Sequence, residues 1–484
     1  MILFSSRDFL YISSGRIISA VVALISLRIS TTVLSTTEYG LLSLYVTFQI
    51  FCGLFLVNPV GQYINRHTHE WWERGEFLSR LYSYRRYIFF VGLIGGAGVS
   101  FWGIVFNGND VSYVAASFVI LFLMVLSSTW NATWIPTLNL LGYRAISVFW
   151  AVTSVSIGLG LSWFLTSISP TALIWMLGQA LGMGIGAFGA KASILKHSNH
   201  TNSMNKSLIT REMLASYCLP LAAATGFIWI QMAGYRLVLN HYWGLEKVAY
   251  IAVALGLSAQ LWGLCESLAS QYFYPMFYKK ISSGNIQDCR EALSDLLNIL
   301  GPVFMVIAGA TMLTANLLLV LFVDSKYSGV GIFVMVGALI ECCRVIANLF
   351  SNAAQATRNM SSLIVPNALG STTALVLIFI SGMIGQDVLW AGLALASGGV
   401  VLVSVMVFRM RKEILYEIDY GRWLFGAMVL FISVIFSLWQ PLPMDTNLEK
   451  FASMSLVGVG STTLLSFLLW KNPSLARLMS IRLR

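Results

Sequence analysis

The chain has 484 residues, of which 57% are hydrophobic and only 10% charged. A soluble domain is nearer a quarter charged, so this composition excludes a soluble fold and predicts an all-α polytopic membrane protein. The net charge of +10 reads as the basic bias of cytoplasmic loops, not as a nucleic-acid surface.

A span needs about 20 mostly apolar residues. Cutting the chain at charged and turn-rich stretches gives about fourteen predicted spans. They lie near 10–33, 39–62, 87–106, 112–135, 146–166, 170–190, 214–238, 248–274, 296–321, 329–354, 363–384, 388–408, 424–440 and 451–470. The N-terminus runs almost directly into the first, with no small-residue cleavage site, which reads as a retained helix. Of the thirty Lys and Arg, twenty-three fall in alternate connecting segments that include both termini. Only Lys247, Lys326 and Lys450 fall on the other side. This bias predicts both termini in the cytoplasm.

The stretch RISTTVLSTTEYG (28–40) has an echo in RLVLNHYWGLEKVAY (236–250). A shift of 208 residues lays Arg28 on Arg236 and Glu38 on Glu246, and the first two spans on the seventh and eighth. Six spans per half is an even number, so the halves are expected as parallel repeats. The expected organisation is a six-helix lobe over 1–190, a cytoplasmic linker over 191–213, a second six-helix lobe over 214–408, and two extra helices with a basic tail over 409–484.

Six ionisable residues fall inside spans: Arg16, Arg28, Arg236, Glu266, Glu341 and Arg344. Each costs roughly 3 kcal/mol on insertion scales, and such residues usually face the bundle interior. Arg28 and Arg236 lie near the outer ends of their helices. They either line a cavity, snorkel to the interface, or link to Glu38 and Glu246. Arg16 is flanked by Ser13, Ser14 and Ser19, which favours a polar, cavity-facing side. Glu341 and Arg344 are three residues apart, hence on one helix face, and read first as a structural ion pair. Glu266 is either a protonatable coupling residue, a role open to Glu341 as well, or the cross-helix partner of an arginine.

Other features read as structural. Gly184 to Gly189 spell a formal GxGxxG, but no strand precedes them. Gly178, Gly182 and Gly186 form two overlapping GxxxG steps, a helix-packing surface. The pairs His67/His69 and His197/His200 are placed in cytoplasmic loops without cysteines nearby, and no metal site is expected. The six cysteines have no CxxC spacing. The NxS/T matches at 131, 199 and 205 fall in or inside the membrane. No Walker A motif and no nucleophile–base constellation is present, so neither an enzyme nor a bound cofactor is expected. Pro59, Pro136, Pro220, Pro275, Pro302 and Pro366 fall within spans, and Pro220, at the opening of the second half, is the candidate hinge.

Four stretches carry a family resemblance. LSTTEYGLLSLY (34–45) resembles the outer turn and second-helix start of polysaccharide-transporter flippases. NPVGQYINRHTHEWWERGEF (58–77) is similar to the end of their second helix and the loop after it. LPLAAATGFIWIQMAGYRLVLNHYWGLEKVAYIAVA (219–254) resembles their seventh and eighth helices, and LFVDSKYSGVGIFVMV (321–336) their ninth-to-tenth connection. The resemblance implies membership of the multidrug/oligosaccharidyl-lipid/polysaccharide exporter superfamily. It further implies two lobes around a cavity, alternating access, and an undecaprenyl-pyrophosphate-linked oligosaccharide, such as an O-antigen unit, as substrate. On that reading the protein is a monomeric, ion-driven flippase of the bacterial inner membrane, in contact with membrane lipid and with glycan polymerase machinery. Arg16, Arg28 and Arg236 would hold the pyrophosphate, because guanidinium pairs bidentately with phosphate. A drug/cation antiporter would be expected to carry the opposite sign. The related lipid II flippase also has fourteen helices, but carries an Arg-Asp pair in its first helix where Arg28 is followed by Ile29.

Overall fold

The computed structural model describes residues 6–107, 110–197, 211–281, 285–357, 359–439, 447–470 and 472–483. The helices are α1 (Ser6–Val33), α2 (Thr36–Phe51), α3 (Asn58–Glu73), α4 (Phe77–Asn107), α5 (Val111–Leu140), α6 (Arg144–Ile168), α7 (Ala172–His197), α8 (Arg211–Trp229) and α9 (Tyr235–Ile281). They continue as α10 (Ile286–Leu313), α11 (Ala315–Phe322), α12 (Gly331–Thr357), α13 (Ile364–Met383), α14 (Leu389–Glu413), α15 (Tyr420–Trp439), α16 (Asn447–Leu469) and α17 (Pro473–Leu483). Among the described residues, thirteen helical stretches are long and apolar enough to cross a membrane. One of them, Cys218–Ile281, runs to 64 residues and breaks at Gly244, whose φ of 77° is a backbone state that glycine adopts without steric cost. Splitting it there accounts for the fourteenth crossing, and the all-α polytopic class read from composition holds.

Two predicted boundaries differ. The second span does not end near residue 62, because α2, a π-helical turn at Cys52–Val57 and α3 are continuous to Glu73. The stretch read as a loop is amphipathic: Val60, Tyr63, Ile64 and Trp71 pack inward and hold it helical. His67 and His69 therefore sit on a helix. His67 Nδ1 donates to the Tyr63 carbonyl (2.9 Å), and its ring stacks on Trp71. His197 ends α7, while His200 and the NxS/T matches at 199 and 205 lie outside the described residues, as does most of the 191–213 linker. The ninth span is likewise two helices, α10 and α11, joined at Thr314.

The chain packs as two units. One is Met1–Asn240 with Gly244–Ala249; the other is His241–Trp243 with Tyr250–Arg484. The repeat counts the seventh span with the second half, whereas α8 and the start of α9 pack in the first unit against α2 and α3.

In the first unit, small residues let helices approach where lipid gives no hydrophobic drive between them. Gly178 meets the backbone of Ser162, Gly182 that of Gly158, and Gly186 the side chain of Ser154, so the GxxxG stripe is the α6–α7 contact. Asn131 is a half-buried staple: its Nδ2 donates to Ser154 Oγ (2.8 Å) and to the Met183 carbonyl (3.0 Å).

In the second unit α10 is the hub, packed against α12, α15, α16 and α17. Its Ser294 and Asn298 bind the segment between α14 and α15. Ser294 Oγ accepts from Glu417 N (2.9 Å), and Asn298 bonds Glu417 O (3.0 Å) and Asp419 N (2.8 Å). Asp295, fully buried, accepts from Arg477 of α17 through Nε (3.0 Å) and Nη2 (2.5 Å). That carboxylate holds the Arg477 guanidinium above its usual pKa. Asn472 caps α17, and Leu478 is buried in the same core. The two extra helices are thus pinned to α10 at both ends. Arg477→Ala is expected to lower the stability of the detergent-solubilised protein by about 1.5–3 kcal/mol, read as a fall in melting temperature. Adding Asp295→Ala should recover part of that loss.

Candidate functional site

Helices α2 and α8 meet along a seam inside the first unit. Each departs from α-geometry beside it, α2 at the π-turn Cys52–Val57 and α8 at the π-turn Ile230–Gly234. The first precedes Asn58-Pro59, where proline cannot donate to the preceding turn and a wider turn absorbs the mismatch. Three bonds cross the seam. Trp229 Nε1 donates to Thr47 O (3.0 Å), Thr47 Oγ1 to Ala233 O (3.4 Å), and Arg236 Nη1 to Ser43 O (3.3 Å). Phe51 packs edge-on to Trp229 with ring centroids 5.0 Å apart. Pro220 stands within α8, and the departure from α-geometry comes ten residues beyond it.

Arg236 is half-buried. It uses one of its five donors on Ser43, and its Nε is buried with no protein partner. Arg28 and Arg16 lie on exposed positions of α1, and neither guanidinium has an ion pair or hydrogen bond among the described residues. All three belong to the first unit, so the repeat-related Arg28 and Arg236 fall in the same body.

Glu38 is not the partner of Arg28. Ser35 caps α2 by accepting from Glu38 N (3.1 Å), and Glu38 Oε2 accepts from Ala172 N (2.7 Å) at the start of α7. A carboxylate there complements the positive end of the α7 dipole. Ser35-Thr36-Thr37-Glu38 is the S-x-x-E pattern of a capping box. The pattern is legible in the sequence and was missed, but its acid turns to a neighbouring helix, which no local pattern reports. Gly40, one turn on, lies against the Leu245 carbonyl, leaving no room for a side chain.

The second unit holds a different arrangement. Arg344 Nε donates to Glu341 Oε2 (2.7 Å) within α12, and its Nη2 to Glu266 Oε2 (2.8 Å) on α9. Asn348 Nδ2 donates to Glu266 Oε1 (2.9 Å). The side chains of Glu266, Glu341 and Arg344 are 25%, 10% and 23% exposed, so the cluster touches solvent at one edge. Two carboxylates share one guanidinium, and the fully ionised cluster carries one uncompensated negative charge. Such a site can hold a proton or a monovalent cation. Asn348 was missed; it follows Arg344 by four residues, which places it on the same face. No group of three or more His, Cys, Asp or Glu with metal-ligand geometry occurs among the described residues.

Arg344→Ala would leave two carboxylates without their cation. It is expected to cost about 3 kcal/mol, measured as a melting-temperature drop in detergent, with Glu341→Gln in the same chain restoring part of it.

Searched by sequence, the chain matches no protein-family model and no curated protein. Its fold does match solved structures. Against the lipid II flippase MurJ in an inward closed conformation the TM-score is 0.68 at 14% identity, over 96% of this chain and 98% of that one. Against the eukaryotic MATE transporter AtDTX14 it is 0.55 at 16% identity, over 88% and 98%. Against an inward-facing multidrug resistance MATE transporter of the MOP superfamily it is 0.52 at 11% identity, over 87% and 96%. At such identities the likeness is one of fold, and the chain has the fold these flippase and MATE structures share.

Proposed function

We propose that this protein is a flippase carrying an undecaprenyl-pyrophosphate-linked oligosaccharide across a bacterial inner membrane by alternating access, with both termini in the cytoplasm. One observation carries the reading. Among the described residues, the arginines inside the spans of the first unit have no acid to neutralise them, while Glu38 there and Glu266 and Glu341 in the second unit are already engaged. Unneutralised guanidinium groups suit an anion, and a pyrophosphate above all. Arg236, with an unused buried Nε, is the foremost phosphate ligand, joined by Arg28 and Arg16. The fold shared with a lipid II flippase supports transport of a lipid-linked substrate, and the four resembling stretches favour a surface glycan. The glycan polymerase machinery is the expected partner of a monomeric transporter.

Coupling belongs to the Glu266–Arg344–Glu341 cluster, whose excess charge binds the driving proton or cation. The hinge belongs to the seventh span, where Pro220 in α8 and the π-turn at Ile230–Gly234 both weaken the backbone ladder. Lipid II itself is the second reading, favoured by a match that spans nearly both chains.

Arg236→Ala and Arg28→Ala, each at wild-type membrane abundance, are expected to lower surface-glycan export by about tenfold or more, the effect of one lost charge-assisted hydrogen bond. Full export in both would sink the anion reading. Loss of peptidoglycan synthesis with surface glycan unchanged would favour lipid II. Glu266→Gln should abolish the response of export to collapse of the ion gradient while leaving substrate binding in place.

A further inference from the structure

The first unit carries a second polar surface that the arginines do not explain. On α3, Asn58, Gln62, Asn65, Arg66 and His69 follow one another at intervals of three and four residues, with Arg66 beside Asn65, and so share one side of the helix. Gln62, Asn65, Arg66 and His69 are exposed, while Val60, Tyr63, Ile64 and Trp71 on the other side are buried. Gln62 Nε2 donates to Asn58 Oδ1 (3.3 Å), forming the first rung of a ladder. The side chains of Asn65, Arg66 and His69 have no partner among the described residues. Gly61, on the flank of the strip, faces open space. Trp72, half-buried, lies on that same flank two turns beyond Asn65.

The chemistry of this strip differs from that of the arginine site. Amide side chains both donate and accept, which matches vicinal hydroxyls and not a phosphate. Arg66 is the strip's one fixed positive charge; Glu70, on the other flank, is taken by Arg74 (3.0 Å). From Asn58 to His69 the strip runs about 16 Å by the helical rise, long enough for several linked pyranose rings.

We propose that this strip on α3 is the glycan track, along which the sugar portion of a lipid-linked oligosaccharide lies while its pyrophosphate is held by the arginines. The proposal rests on the flippase reading and adds the second half of its substrate site. Gln62 and Asn65 form hydrogen bonds with sugar hydroxyls, and Trp72 offers a ring edge to the apolar face of a sugar.

The test combines export with a direct contact measurement. Both residues are exposed, so Gln62→Ala/Asn65→Ala should leave folding within about 0.5 kcal/mol of wild type. Export should fall about tenfold, as expected for two lost hydrogen bonds. Separately, Gln62→Cys is labelled with a membrane-impermeant maleimide in inverted membrane vesicles, and modification is read at that peptide by mass spectrometry. Labelling should drop in vesicles from cells that accumulate lipid-linked glycan, compared with cells blocked in its synthesis. Equal labelling in both, with wild-type export by the double variant, overturns the track and leaves a solvated helix face. If Arg236→Ala still loses export in that case, the flippase reading survives without it; if Arg236→Ala and Arg28→Ala also export normally, both ideas fall.

Discussion

Placing a charge inside a hydrocarbon-crossing helix costs roughly 3 kcal/mol, and the two units meet that constraint in opposite ways. In the second, Arg344 sits between Glu266 and Glu341 and neutralises one of them, and Asn348 completes the shell around Glu266. In the first, Arg16, Arg28 and Arg236 have no counter-charge among the described residues, and the acid nearest in sequence to Arg28 is committed to the start of α7. One unit thus holds a cluster closed on its own acids, the other a set of cations without acids. The asymmetry is chemical, and it overlies a repeat that hydropathy alone presents as symmetric.

The seam between α2 and α8 shows how that asymmetry is built. Two π-turns lie alongside one contact, and the bonds from Trp229, Thr47 and Arg236 are made to carbonyl oxygens of the facing helix. A π-turn leaves backbone groups less tightly matched than an α-turn does, so local slack sits where the two helices are fastened. The same seam explains why α8 belongs with the first unit although the repeat counts it with the second: its polar and aromatic contacts are with α2, and it packs beside α3.

Much of the architecture was legible in the sequence, because span length is set by the solvent, and the bilayer imposes it helix by helix. What was not legible depends on partners distant in the chain. Glu266 and Arg344 are far apart in sequence, and only folding brings them together. Glu38 looked like a counter-ion for Arg28 by proximity, and the N-terminus of α7 claimed it instead. The stretch after residue 62 looked like a loop because it is polar and aromatic. Its apolar residues recur with helical period, however, and that periodicity outweighed its composition.

The two-ended attachment of the last helices to α10 has a consequence for inheritance. Asp295 has no access to water, and its strongest partner, Arg477, comes from the far end of the chain. The acid and the tail therefore form one heritable unit. A lineage that shed the two terminal helices would leave a buried carboxylate facing an emptied groove, with Lys280 at 4.0 Å as its nearest remaining cation.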